Sequence, residues 1–156
     1  MKFPHLIVLA LGLFCVPDTF ARLGETVAEC QQRYGTATKV DSKTLTFDKA
    51  GYFIVISFFE GKADSIAYTK LKTDGNGTPI KISDNEIDQL MKLHSGDLEW
   101  KKREVISIND EWETSQRDFF AYYDKLHNFL IITTKGFVER NNAEKKAKED
   151  KAIKGL

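Results

Sequence analysis

The fold is decided by the stretch Tyr52–Phe59, which reads Tyr-Phe-Ile-Val-Ile-Ser-Phe-Phe and is apolar almost throughout. A run of this kind is typical of a central strand in a sheet. Lys43–Phe47 precedes it with alternating apolar and polar residues, and Ala63–Thr69 follows it with a similar alternation. The turns between these stretches are short, and short turns predict antiparallel pairing of the three strands.

A helix with a capping box precedes these strands, and a second such helix follows them. In a capping box the first side chain accepts a hydrogen bond from an early backbone N–H, and a glutamate three residues later reaches back. Thr26 with Glu29 and Ser83 with Glu86 both have this spacing. The inward faces are predicted to carry Val27, Cys30 and Tyr34 before Gly35, and Ile87, Leu90, Met91 and His94 before Gly96.

Further strands are predicted after the second helix. They are expected at Glu104–Ile108, around Trp112, at Asp118–Tyr123 and at Asn128–Thr134. The order of one helix followed by antiparallel strands therefore occurs twice. This order is compatible with an internal duplication and equally with two unrelated halves.

These patterns predict an α+β fold, in which an antiparallel sheet is covered by helices and a C-terminal helix follows at Gly136–Asp150. Two tandem helix–β-meander halves, 22–71 and 80–135, are the candidate organisation of a single domain at 22–140. Residues 141–156 have no apolar face and are predicted to be a charged tail, either helical or disordered.

The first 21 residues have the pattern of a secretory signal peptide. Lys2 supplies a positive charge, residues 6–16 form an uninterrupted apolar run, and Thr19 and Ala21 place small residues at the −3 and −1 positions. The run is shorter than the roughly twenty residues that span a bilayer. We therefore predict cleavage near Ala21 and a periplasmic or secreted protein without a transmembrane anchor. Lipid attachment at Cys15 is disfavoured, because a bulky phenylalanine precedes it inside the apolar run.

The composition of the remaining 135 residues excludes several classes of function. Acidic and basic residues balance at 22 each, so no net charge attracts nucleic acid or an anionic membrane. Cys30 is the only cysteine left, which rules out an internal disulfide. It is a buried small side chain, a reactive thiol or a dimer bridge, and its inward position in the middle of a helix favours burial.

No combination of residues forms a recognisable active site. Cys30, His94 and His127 are the right types for thiol catalysis, but Cys30 does not lie at a helix N-terminus, where its thiol would be activated. The spacing of these residues does not match a zinc site, and no phosphate-binding glycine loop or serine elbow is present. We expect His94 to be packed or hydrogen-bonded and the carboxylates around Asp110 to lie in a turn. The sequence thus predicts no catalytic residue, no cofactor and no metal.

Aromatic residues are concentrated in the second half of the chain. In the predicted strand Asp118–Tyr123, neighbouring side chains point to opposite faces of the sheet. Either the set containing Tyr123 or the set containing Tyr122 therefore faces the core. The other set is covered by a helix, which is the favoured expectation, covered by a partner, or left open as a binding surface. The candidate residues for such a surface are Trp100, Trp112, Phe120 and Tyr122.

Two resemblances accompany these patterns. The start Arg22-Leu23-Gly24-Glu25-Thr26 with Arg33-Tyr34-Gly35 resembles small uncharacterised exported bacterial proteins that begin R-x-G-E-T…R-Y-G. The doubled helix and meander is more distantly similar to the beta-lactamase inhibitor protein and to the outer-membrane assembly lipoproteins of the SmpA/OmlA type. These resemblances imply a non-enzymatic protein binder. The chain lacks the disulfides of the former and the lipid-attachment motif of the latter, so no site residue is transferred.

We therefore expect an exported, non-catalytic protein that binds another protein or a component of the cell envelope. One alternative is a small envelope enzyme that uses scattered carboxylates or Cys30. The other is an inhibitor of a secreted hydrolase.

Overall fold

The computed structural model describes residues 22–154. The predicted signal peptide, with Cys15 and the cleavage position at Ala21, lies outside the described residues. The described part of the chain folds into three helices and eight strands. Their bounds are α1 Val27–Tyr34, β1 Lys39–Val40, β2 Thr44–Lys49, β3 Tyr52–Phe59, β4 Lys62–Lys70, α2 Asp84–Ser95, β5 Trp100–Lys102, β6 Asp110–Thr114, β7 Phe119–Asp124, β8 Phe129–Thr134 and α3 Lys135–Lys154.

All eight strands form one antiparallel sheet in the order β1-β2-β3-β4-β8-β7-β6-β5. Each half of the order is a meander of four strands that follows its own helix along the chain. The two meanders meet where β4 pairs with β8, and Ile66 lies opposite Ile132 there. The structure therefore confirms the predicted α+β fold with an antiparallel sheet, covering helices and a C-terminal helix.

The strand β3 has the predicted bounds and lies between β2 and β4. The turn that enters it contains Ala50 and Gly51, both with positive φ, at 51° and 82°. Two consecutive residues with positive φ define the type I′ turn, whose twist matches that of an antiparallel hairpin. Glycine adopts this conformation without a steric penalty, which explains its place at the tightest point of the hairpin.

One face of the sheet, the core face, carries the hydrophobic core. The pairing register aligns Phe47, Ile54, Tyr68, Leu130 and Tyr123 across five neighbouring strands, and all are buried. Each large apolar side chain removed from water contributes about 1.5–3 kcal/mol to folding. The helices cover this face with the buried residues Cys30 and Tyr34 of α1 and Ile87, Leu90, Met91 and His94 of α2. The predicted inward faces are thus confirmed, except that Val27 is 38% exposed.

Both predicted capping boxes are present. The hydroxyl oxygen of Thr26 accepts a hydrogen bond from the backbone N–H of Glu29 at 3.3 Å, and the side chain of Glu29 accepts one from the Thr26 backbone at 2.7 Å. Ser83 and Glu86 repeat this reciprocal pair at the start of α2. Each box satisfies backbone donors that the first turn of a helix leaves without an intrahelical partner.

A buried chain of polar groups connects the two helices through β4. The hydroxyls of Tyr34 and Tyr68 are 3.3 Å apart, and the Tyr68 hydroxyl lies 2.8 Å from Nε2 of His94. His94 is 5% exposed, and its Nδ1 has no hydrogen-bond partner among the described residues. Burial, assisted by the positive charge of Arg22, lowers the pKa of His94 to about 3. The imidazole is therefore neutral at ordinary pH, and Tyr68 can donate to it.

The start of α2 is attached to the sheet by Glu86. Its carboxylate accepts a hydrogen bond from the hydroxyl of Tyr52 at 2.9 Å and forms an ion pair with Lys70, whose ammonium lies 4.4 Å from the centre of the Tyr52 ring. Partial burial raises the pKa of Glu86, but the hydrogen bonds from Lys70, Ser83 and Tyr52 outweigh it and bring the pKa to about 2. The carboxylate is consequently ionised over the whole physiological range.

The predicted strand at Glu104–Ile108 is wrong. The strand at this edge of the sheet is β5, Trp100–Lys102, which pairs with β6, and residues 103–109 form a loop. The β-branched residues of the loop imitate a strand pattern, but Ile106 and Ile108 point into solvent. A period of two in the sequence does not distinguish a paired strand from an extended loop.

The helix α3 meets the sheet only through its first turns. Arg140 forms an ion pair with Asp64, and its guanidinium lies 3.7 Å from the centre of the Phe59 ring. The described side chains beyond Arg140 are all exposed. Within residues 22–154, none of the helices combines the length and the apolar character that a membrane span requires.

Candidate binding surface

The second face of the sheet, the open face, is apolar in its centre. The register places Val55, Ala67, Ile131 and Tyr122 side by side across β3, β4, β8 and β7. A neighbouring row contains Phe53 and Phe129, with Thr69 between them. Phe53 is 41% exposed, and the other apolar residues of these two rows are partly exposed. Because the buried residues of α1 and α2 pack against the core face, these two helices leave the open face uncovered.

Polar residues frame this apolar centre on both sides. The outward positions of β2 are Thr44, Thr46 and Asp48, and those of β6 are Glu111 and Glu113. With strands about 4.8 Å apart and outward residues about 6.8 Å apart along each strand, the apolar centre covers on the order of 300 Å². An antiparallel sheet that faces only water normally alternates apolar and polar residues on every strand. The four central strands depart from that rule.

The aromatic part of the open face is held in place at the end of β7. The rings of Tyr122 and Phe129 are 6.2 Å apart at 45°, and His127 adds a third ring 6.5 Å from Phe129. The side-chain amide of Asn109 donates a hydrogen bond to the hydroxyl of Tyr122. Burial and the carboxylates of Asp124 and Glu111 raise the pKa of Tyr122. The surface therefore presents the neutral ring of Tyr122 in contact with the ring of Phe129.

The structure separates the four residues that the sequence singled out. Phe120 and Tyr122 lie on the open face, whereas Trp100 and Trp112 lie on the side of the sheet that carries the helices. Trp100 donates its indole N–H to the hydroxyl of Ser95 at 2.9 Å and lines a groove of about 430 Å³ beside α2. Trp112 lines a neighbouring groove of about 210 Å³. The two tryptophans thus lie between α2 and the sheet edge, each lining a groove.

The open-face residues that sequence reasoning missed are Phe53, Val55, Phe129 and Ile131. They occupy alternate positions of β3 and β8, the two most continuously apolar strands. Their pattern indicates burial on both faces, as in a sheet with helices on each side. A sheet whose second face is apolar but is not covered by α1 or α2 gives the same sequence signal, so the pattern alone cannot distinguish the two cases.

The residues considered for catalysis are placed unfavourably for it. Cys30 is fully buried, and burial together with Glu25 and Glu29 raises the pKa of its thiol to about 12, so the thiolate is scarcely populated at neutral pH. Partial burial raises the pKa of Asp110, but Lys102 and Lys125 outweigh it and lower the pKa overall, the opposite of what a general acid needs. Across residues 22–154, no three His, Cys, Asp or Glu side chains form a group that could hold a metal ion.

Comparison with known proteins leaves the family open. No protein-family model matches the chain, and no curated protein matches it. Among solved structures, the chain is similar to a cysteine-rich secretory protein from Staphylococcus aureus, with 13% sequence identity and a TM-score of 0.41. That similarity covers 74% of this chain and 46% of the staphylococcal protein, so the chain spans less than half of its length.

Proposed function

We propose that this protein is exported and, without catalysing a reaction, binds another protein through the open face of its sheet. The observation that carries the proposal is the apolar centre of that face, where Phe53, Tyr122 and Phe129 are partly or largely exposed inside a polar frame. The largest apolar patch on a monomeric protein is typically about 300–600 Å² and is often a functional surface, especially when polar residues rim it.

The export part of the proposal rests on the sequence of the first 21 residues, which has the charge, apolar run and small residues of a cleavable signal. The balance of acidic and basic residues argues for a protein partner over nucleic acid. An inhibitor of a secreted hydrolase is a narrower form of the same proposal. It agrees with the resemblance of the doubled helix and meander to the beta-lactamase inhibitor protein.

The alternative of a thiol enzyme is disfavoured by the environment of Cys30. Its side chain has no exposed surface, and its pKa is raised to about 12. A nucleophilic cysteine needs access to substrate and a lowered pKa. Packing is the role that this environment supports.

The proposal is tested by placing a charge on the open face. In wild type, part of the exported protein should elute in a complex larger than the monomer. Phe53→Asp should reduce that part by about tenfold or more. That factor corresponds to losing the burial of one phenylalanine side chain. The measurement is size-exclusion chromatography of the exported fraction with detection of the full chain.

Val27→Asp is the matched control, because Val27 is 38% exposed, against 41% for Phe53, and lies on α1 at the opposite side of the sheet. The Val27→Asp variant should elute in the same complex, and to the same extent, as the wild-type protein. Wild-type protein that elutes only as a monomer would contradict the proposal. So would a Phe53→Asp variant with correct circular dichroism that retains the whole complex.

A further inference from the structure

The loop at residues 103–109 presents two isoleucines to solvent. Ile106 has a relative exposure of 111%, at least that of a free extended residue, and Ile108 is 70% exposed. A single exposed aliphatic residue is ordinary on a protein surface. Ile106 and Ile108 lie within three residues of each other at the tip of a loop beside an apolar face. Together they expose more aliphatic surface than any other loop of the described chain.

Hydrogen bonds at both ends of this loop and within it restrict its conformation. The backbone N–H of Arg103 donates to the carbonyl of Glu111 at 2.8 Å, and their side chains form an ion pair at 2.7 Å. The N–H of Ser107 donates to the carbonyl of Val105 at 2.9 Å, and the Ser107 hydroxyl accepts from the N–H of Asn109 at 3.1 Å. A loop ordered before binding loses less conformational entropy when a partner closes on it.

Asn109 joins the loop to the open face. Its side-chain amide donates to the hydroxyl of Tyr122, and its side-chain oxygen accepts from the backbone N–H of Lys125 at 3.1 Å. The aromatic ring of Tyr122 is part of the open face, so one side chain fixes the position of the isoleucine loop relative to that face. The loop and the Tyr122 end of the open face are therefore connected through Asn109.

We propose that Ile106 and Ile108 form an anchor that enters an apolar pocket of the same protein partner that covers the open face. This inference rests on the proposed function. The apolar centre of the face covers on the order of 300 Å², whereas a stable interface buries about 800 Å² on each partner. A partner of ordinary size must therefore reach beyond the face, and the loop is an exposed apolar surface that Asn109 ties to one end of it.

The surroundings of the loop favour a protein pocket over a lipid surface. Glu104 lies two residues before Ile106, and Glu111 is held beside the base of the loop by Arg103. The basic residues beside the loop are paired with carboxylates, Lys102 and Lys125 with Asp110 and Arg103 with Glu111. The loop therefore lacks the patch of unpaired basic residues that usually accompanies an apolar group inserted into an anionic leaflet. A protein pocket needs only to accept the two aliphatic side chains.

The test uses the full chain with a photoreactive benzoylphenylalanine at position 106 or at position 129, expressed in the cell that exports it. Both positions should form an adduct with the same partner, and the modified partner peptides identified by mass spectrometry should differ. Ile106→Ser should reduce the yield of the adduct from position 129 by roughly tenfold, the factor expected for one buried isoleucine. Ile153→Ser, which changes an isoleucine of α3 that is 68% exposed, should leave that yield unchanged.

The outcomes separate this inference from the proposed function. An adduct from position 129 without one from position 106 overturns the anchor and leaves the open face as a binding site. No partner adduct from either position overturns both. Flotation of the purified protein with vesicles of phosphatidylethanolamine and phosphatidylglycerol, abolished by Ile106→Ser, would assign the loop to a membrane and overturn the inference as well.

Discussion

The buried histidine makes the stability of the domain depend on pH in a defined direction. His94 is 5% exposed, accepts the hydroxyl of Tyr68 at 2.8 Å and has its pKa lowered from 6.5 to about 3 by burial and by Arg22. The unfolded chain therefore binds more protons than the folded chain between pH 3 and 6.5. The contribution of neutral His94 to stability is present above pH 6.5 and is lost as the pH falls toward 3.

The magnitude follows from the separation of the two pKa values. Between pH 7 and pH 5 the folded histidine remains neutral, so the loss depends almost entirely on protonation of the unfolded chain. It amounts to about 2 kcal/mol at 25 °C. Glu86 contributes in a different window, because its pKa falls from 4.5 to about 2 and its contribution is lost only below pH 4.5.

The assay is urea unfolding followed by circular dichroism at pH 7, 6 and 5. Wild-type protein should lose about 2 kcal/mol of unfolding free energy over this range. His94→Gln should be less stable at pH 7, yet its unfolding free energy should be nearly constant over the same range. Tyr68→Phe, which keeps the histidine buried, should retain the dependence. A wild-type protein with no pH dependence, or a His94→Gln variant with the full dependence, would refute the reasoning.

Three further predictions concern the core, a helix cap and export. Cys30 is buried and its thiol has a pKa of about 12, so it should not react with a thiol reagent at neutral pH in the native protein. It should react fully in denaturant, and rapid reaction of the native protein would contradict its burial. Ser83→Ala should lower the unfolding free energy by about 1 kcal/mol through loss of the α2 cap, as measured by urea titration, and no change would contradict that role. N-terminal sequencing of the exported protein should begin at Arg22, whereas a first residue of Cys15 would indicate a lipoprotein.

The features that the sequence predicted well depend on residues close together in the chain. The box of Ser83 and Glu86 specifies the start of α2, because its two hydrogen bonds are made within four residues. The strand Tyr52–Phe59 has its predicted bounds, since the turns at both ends contain a glycine with positive φ. Local hydrogen bonds and backbone sterics suffice for such elements.

The features that the sequence could not settle depend on distant contacts. Both alternating sets of β7 are aromatic, so the pattern does not say that Tyr123 faces the core and Tyr122 the open face. That choice follows from the pairing of β7 with β8 and from the hydroxyl of Tyr123, which accepts the backbone N–H of Ile82 at 3.3 Å. The strand predicted at Glu104–Ile108 failed for a related reason, since only the partners available in β6 select Trp100–Lys102.

The central claim is that the open face, and not the face covered by α1 and α2, contacts a partner protein. The test places photoreactive benzoylphenylalanine at one position at a time in the exported full chain. Phe53 and Phe129 are the two open-face positions, and Val27 and Gln89 are two exposed positions on the helices. The claim predicts that Phe53 and Phe129 give an adduct with one common protein and that Val27 and Gln89 do not. Adducts of equal yield from all four positions, or from the helix positions alone, would contradict it.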